Sequence, residues 1–198
     1  MSFKFLGVRI KIGFLLIVML TLFSFFDKSG LFLIAFLSAL LHEMGHVLAA
    51  HFCSCGIKEL HFMPFGIKMI LKIPLSLVNF KPKLCILFAG CAVNIILGSI
   101  LLVFSFKTAA LINFATAIFN LLPAKTLDGG RILLEILNIK FDPSLSEKVS
   151  DFISIIFSIL LFILGAFLLF YSGYNVSLIF TSIYLAITVI IRQKRLNW

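Results

Sequence analysis

Six stretches of the chain are nearly continuous runs of apolar residues, separated by short polar segments. A membrane helix needs about 20 mostly apolar residues. On that measure the pattern predicts spans over 10–26, 31–52, 85–105, 107–122, 152–171 and 174–191, the fourth being the shortest. The segment 53–84 breaks the rhythm, because Ile57-Lys-Glu-Leu-His-Phe-Met-Pro-Phe-Gly-Ile-Lys-Met-Ile-Leu-Lys72 holds two short runs around Pro64 and Gly66. That pattern predicts a β-hairpin over 57–72. The segment 123–151 carries Pro123, Gly129-Gly130, Pro143 and most of the acidic residues, and reads as a loop followed by a short helix near 129–138. The expected fold is therefore an all-α polytopic membrane protein. It has about six transmembrane helices and a small β-hairpin segment between spans two and three, in a single domain over 1–198. Although Lys4, Arg9 and Lys11 precede the first apolar run, no small-residue cleavage site follows it, so it reads as a span and not as a signal peptide.

Composition sharpens this picture. Hydrophobic residues make up 62% of the chain and charged ones 13%, against about 45–50% and 25% in soluble domains. Basic residues then orient the spans, since short cytoplasmic loops collect Lys and Arg. With the N-terminus inside, the inner segments hold Lys4, Arg9, Lys11, Lys58, Lys68, Lys72, Lys81, Lys83, Lys125, Arg131, Lys140, Lys148, Arg192, Lys194 and Arg195. The outer loops hold only Lys28 and Lys107. The expectation is a multi-pass cytoplasmic-membrane protein with both termini in the cytoplasm. The net charge of +9 is accounted for by the lipid bilayer and its anionic headgroups, without nucleic acid as a partner. Cys53, Cys55, Cys85 and Cys91 lie in or beside spans on the cytoplasmic half, where disulfides are not expected. They read as small buried hydrophobes, and Cys53-Ser54-Cys55 lacks the spacing of a structural zinc site.

The chemistry concentrates in His42-Glu43-Met44-Gly45-His46, inside the second span. Residues four apart share one helix face, so both imidazoles can reach one metal ion. Glu43 stands one residue on, where it can take a proton from an attacking water without ligating the metal. This is the zincin arrangement of two histidines on zinc and a glutamate base. Ionisable groups at membrane depth cost about 2.5–3.5 kcal/mol each and usually mark function, so packing is a poor explanation for three of them in five residues.

A catalytic zinc commonly takes three protein ligands. Phe52 occupies the position where a metzincin would place its third histidine, His51 points to another face, and His61 lies in the cytoplasmic segment. Asp128, in Asn120-Leu-Leu-Pro-Ala-Lys-Thr-Leu-Asp-Gly-Gly130 at the end of the fourth span, suits a ligand because two glycines let the backbone approach closely. The same Asp-Gly-Gly sequence also suits a simple turn.

With these motifs in order, the chain resembles the site-2 protease family of intramembrane zinc metalloproteases over roughly 31–135. His42–His46 matches the family's metal motif. Asn120-Leu-Leu-Pro123 with Leu127-Asp128-Gly129-Gly130 matches its Asn/Pro and Leu-Asp-Gly motif, which implies Asp128 as third ligand. Ala89-Gly90-Cys91-Ala92-Val93-Asn94 looks like its Gly-Pro-x-x-Asn segment, with Cys91 in place of proline. The layout without an inserted PDZ domain is most similar to the stage IV sporulation protein FB branch, but no CBS domain is expected after the last span. Thr126 also replaces a proline found in some relatives.

The resemblance implies a Zn2+ cofactor held by His42, His46 and Asp128, with Glu43 as base. Asn120, at a span end, suits a hydrogen bond to substrate or an oxyanion and equally a helix cap, and Asn94, in the third span, suits substrate positioning and equally the joining of helices. The expected reaction is hydrolysis of peptide bonds in membrane-associated protein substrates near the cytoplasmic face. A sporulation sigma-factor precursor is a candidate substrate, and membrane regulatory proteins are candidate partners. The competing expectation is an inactive scaffold or metal transporter on the same fold. It fits less well, because no motif residue is missing and the first, fifth and sixth spans carry almost no ionisable groups.

Overall fold

The computed structural model describes residues 2–5, 8–63, 66–172 and 179–187. The chain forms two compact units, Met1–Ile118 and Phe119–Trp198.

In the first unit, strands β1 (Ser2–Phe5), β2 (Val8–Ile12), β3 (Ile57–Met63) and β4 (Gly66–Leu71) form one sheet in the order β1-β2-β3-β4. The outer pairs are antiparallel, and β2 runs parallel to β3 with Arg9 opposite Glu59 and Ile12 opposite Phe62. The predicted hairpin is thus present, but as half of a larger sheet. The expected start of the first span at residue 10 is corrected: Val8-Arg-Ile-Lys-Ile12 alternates apolar and charged residues at the strand period and enters the sheet.

Glu59 explains why that strand docks there. Its carboxylate receives Arg9 Nη1 at 3.0 Å, Lys11 Nζ at 3.0 Å and His61 Nε2 at 2.9 Å. The His61 hydrogen bond first, then those basic neighbours, depress the Glu59 carboxyl from its ordinary 4.5 to about 2. A depressed carboxylate contributes stability that is complete above its ordinary value and is lost as pH falls through the folded one. The β2–β3 ladder should therefore loosen between pH 4.5 and about 2. In Glu59→Gln, amide exchange over residues 10–12 and 60–62 should be several-fold faster at pH 6 and should no longer respond to acid in that window.

Helix α1 (Phe14–Phe26) leads to Asp27, whose carboxylate accepts Phe32 N–H at 2.7 Å and the Ser29 hydroxyl at 2.6 Å, fixing the start of α2 (Leu31–Phe52). Helix α3 (Phe80–Val103) begins five residues before the predicted span, because Pro82 falls in its first turn, where no backbone donor is needed. Helix α4 (Lys107–Leu121) follows. Helices α2 and α3 touch backbone to backbone, since a Cβ on Gly45 would lie 2.7 Å from the Ala89 carbonyl oxygen. Ala49, Ala50, Cys55 and Ile86 form the core there, with Met69 and Leu71 of β4 packed on it. Ser38 Oγ bonds Asn113 Oδ1 at 3.1 Å and Thr116 Oγ1 at 3.2 Å, tying α2 to α4.

In the second unit, helix α5 (Asp128–Lys140) matches the predicted short helix, and α6 (Pro143–Ser172) extends the predicted fifth span by more than two turns at its start. Six membrane helices were expected from apolar runs. Among the described residues, three are long and apolar enough to cross a membrane: α2, α3 and α6. Helix α1 has 13 residues and α4 has 15. At 1.5 Å per residue these reach only about 20 Å of a hydrocarbon core about 30 Å thick. Of the sixth stretch, 179–187 is helical and the remainder lies outside the described residues.

Candidate metal centre

Helix α2 presents His42 and His46 on one buried face, 3% and 8% exposed. Their Nε2 atoms converge to 3.2 Å. Two nitrogens each about 2.0–2.1 Å from a tetrahedral zinc ion stand about 3.3–3.4 Å apart, so the pair already has the span of a chelate. His46 Nδ1 lies 2.7 Å from the Ile86 carbonyl oxygen of α3. That carbonyl can only accept, so Nδ1 carries the proton and Nε2 carries the lone pair, the tautomer that a metal ligand requires.

Gly90 makes the room. A Cβ there would overlap His46 Nε2 and lie 2.8 Å from His42 Cε1 and Nε2. The next residue, Cys91, is 1% exposed, and its sulfur lies within 4.8 Å of a His42 ring nitrogen. Cys91 therefore belongs to the donor neighbourhood and not merely to the apolar packing that cysteine usage suggested. The signal in the sequence was its place beside Gly90 in the Gly-x-x-x-Asn segment. These features fit a zinc ion: a soft and borderline donor set, a fixed tautomer, and a recess that a single methyl group would fill.

Glu43 is half-buried beside His42 on α2. Asn94 is fully buried on α3; its Nδ2 reaches Ser38 Oγ at 3.5 Å, and its Oδ1 has no hydrogen-bond partner among the described residues. Its observed bond joins α3 to the helix-linking network around Ser38.

Asp128 and Asn120 belong to the second unit. Asp128 is the first residue of α5 and is 8% exposed, and Asn120 is half-buried in the last turn of α4. The two glycines after Asp128 are needed for packing. A Cβ on Gly129 would overlap the Leu121 carbonyl, and one on Gly130 would overlap the Ala124 carbonyl and lie 2.6 Å from Lys125 N. The loop 122–127 is thus folded tightly over the first turn of α5, so this Asp-Gly-Gly is a helix start and not a free turn. His61, weighed as a ligand, is bonded to Glu59 in the sheet.

A helix long and apolar enough to span a membrane carries two converged imidazoles with a carboxylate one residue on, the donor arrangement of the zincin motif. Known proteins agree with this class. The family model for Peptidase family M50 matches residues 102–164. The chain is 32% identical over 168 residues to Zinc metalloprotease MJ0392 of Methanocaldococcus jannaschii, covering 75% of this chain and 48% of that protein. It superposes on the solved Site-2 Protease from Methanocaldococcus jannaschii with a TM-score of 0.66 at 28% identity, covering 96% of this chain and 94% of that one. The chain is thus similar to site-2 proteases in sequence and fold, and it spans about half the length of the curated relative it matches.

Proposed function

We propose that the protein is an intramembrane zinc metalloprotease that hydrolyses peptide bonds of membrane-associated proteins near the cytoplasmic face. The observation that carries this reading is the 3.2 Å convergence of His42 and His46 in a membrane-spanning helix with Glu43 adjacent. His42 and His46 would hold the metal, with Asp128 as third ligand on the strength of its Leu-Asp-Gly motif. Zinc, when bound there, supplies the Lewis acidity that activates water and polarises a carbonyl. Glu43 accepts the proton of the attacking water and delivers it to the leaving amine. Asn120, at the end of α4, donates a hydrogen bond to substrate backbone, and Asn94 keeps an acceptor at Oδ1 for the same purpose.

Charge supports the orientation. The cations Arg9, Lys11, Lys58, Lys72 and Lys81 lie on the sheet, just after it or in the first turn of α3, whereas the segment before α2 carries Lys28 and Asp27. By the positive-inside rule the sheet side is cytoplasmic, and His42–His46 lie in the half of α2 nearer to it. The basic residues near both ends of the sequence, Lys4 and Arg9 at one and Arg192, Lys194 and Arg195 at the other, support a reading with both termini in the cytoplasm. Strand β4 is an edge of the sheet, and an extended substrate segment can add to it by backbone hydrogen bonds. The names of the similar proteins specify a reaction and no substrate, so the substrate proposed is a class of membrane-associated proteins and not a sporulation precursor.

The test is cleavage of a single-span substrate by the purified protein in detergent. Phenanthroline should stop cleavage and added zinc should restore it. Replacing Gly, Pro, Asn or Ser near the scissile bond with Ala and Leu should slow cleavage, because a helical segment must unwind before its carbonyls can be attacked. Zinc uptake without any cleavage across several substrates would favour the scaffold or transporter instead.

A further inference from the structure

Within the second unit, the loop that precedes Asp128 is gripped by α6 through a dry ion pair. Lys125 Nζ lies 2.6 Å from Asp151 Oδ1, with the two side chains only 3% and 8% exposed. One turn further along α6, Ser154 Oγ accepts the Lys125 backbone N–H at 3.0 Å and donates to the Ser150 carbonyl at 2.7 Å. Ser146, Ser150 and Ser154 are fully buried, and their small side chains let α6 approach. Both the side chain and the backbone of Lys125 are therefore fixed to one helix. Three residues later the chain starts α5 with Asp128, and Gly129 and Gly130 lie flat against this same loop.

A buried ion pair is a poor device for stability alone. Desolvation cancels most of the attraction, and apolar side chains of similar volume commonly serve as well or better. What the pair supplies and apolar packing does not is direction, since it holds one loop atom opposite one helix atom. A lysine at a cytoplasmic loop also has a less costly use, which is to remain hydrated among anionic headgroups, and Lys125 does not adopt it.

We infer that Lys125 and Asp151, with Ser154, are positioning residues that set the Asp128 carboxylate for metal binding. The inference rests on the reading of Asp128 as a zinc ligand. Outer residues that orient metal ligands typically change affinity by about 10–100-fold when removed.

The experiment compares zinc affinity, the visible spectrum at saturating cobalt, and thermal unfolding in detergent for the whole protein. The apolar double variant Lys125→Met/Asp151→Leu should unfold at or above the wild-type temperature, yet bind zinc roughly 10–100-fold more weakly and give altered cobalt d–d bands. Lys125→Arg, which keeps the pair, should retain wild-type affinity and spectrum. Should the double variant not fold, Asp151→Asn removes the charge at constant volume; it should unfold below the wild-type temperature, because Lys125 is left without its counter-charge, and show the same loss of zinc affinity and altered cobalt bands. Wild-type affinity and spectrum in the folded variants, while Asp128→Ala weakens zinc binding, would overturn the positioning role and leave Asp128 standing. Wild-type zinc affinity in Asp128→Ala itself would remove the ligand reading and the inference with it.

Discussion

Glu43→Gln should retain its zinc while losing cleavage by about 10²–10⁴-fold, the usual contribution of a positioned general base. Glutamine matches glutamate in volume and helix propensity, and position 43 is half-buried on α2, so the helix and the convergence of His42 and His46 should be untouched. What disappears is the group that can accept a proton. His42→Ala is the contrasting case, because it removes one of two nitrogens that stand 3.2 Å apart, and metal content and cleavage should fall together. The two variants are read by zinc stoichiometry and by initial cleavage rate of the same substrate. If Glu43→Gln emptied of zinc as completely as His42→Ala, Glu43 would be a ligand and the assigned roles would have to be exchanged.

The metal helix was legible before any coordinates because its signal is local. His-x-x-x-His needs only the 3.6-residue period to bring two rings together, and the apolar flanks need only length. The hairpin over 57–72 was legible for the same reason. What escaped were pairings between distant segments. Residues 10–12 looked like the beginning of an apolar run, and their alternation with Arg9 and Lys11 became decisive only once Glu59, 50 positions from Arg9 in the chain, was seen opposite. Lys125 looked like one more cytoplasmic charge, since nothing local reveals that Asp151 waits on α6. Helices α1 and α4 were read as spans from apolar content, although their lengths fall short of the membrane core. Gly90 was visible as part of a motif, but a sequence does not say what a glycine faces.

That last residue carries the second large expectation. In Gly90→Ala, one methyl group enters the recess between the imidazoles, overlapping His46 Nε2 and crowding His42 Cε1 and Nε2 at 2.8 Å. Relief is blocked in each direction. Turning the His46 ring breaks its 2.7 Å bond to the Ile86 carbonyl and leaves the buried Nδ1–H without its acceptor. Separating α2 from α3 opens the contact between Gly45 and the Ala89 carbonyl and loosens the core around Ala50 and Ile86. Overpacking of this kind costs about 1–3 kcal/mol, a tolerable loss for a membrane helix bundle, so the protein should still fold. The metal site should not survive, because both ligating nitrogens border the added atom, and zinc binding should weaken by at least about 100-fold, the upper range for disturbing the groups around a metal. Gly98→Ala is the matched control on the same helix: its methyl group would meet ring atoms of Phe114 at 2.8–3.0 Å, a side chain that can shift, and no metal ligand. It should lower the unfolding temperature without altering zinc content. A Gly90→Ala protein that unfolds like Gly98→Ala but keeps stoichiometric zinc and normal cleavage would mean that the recess at Gly90 is not where the metal sits.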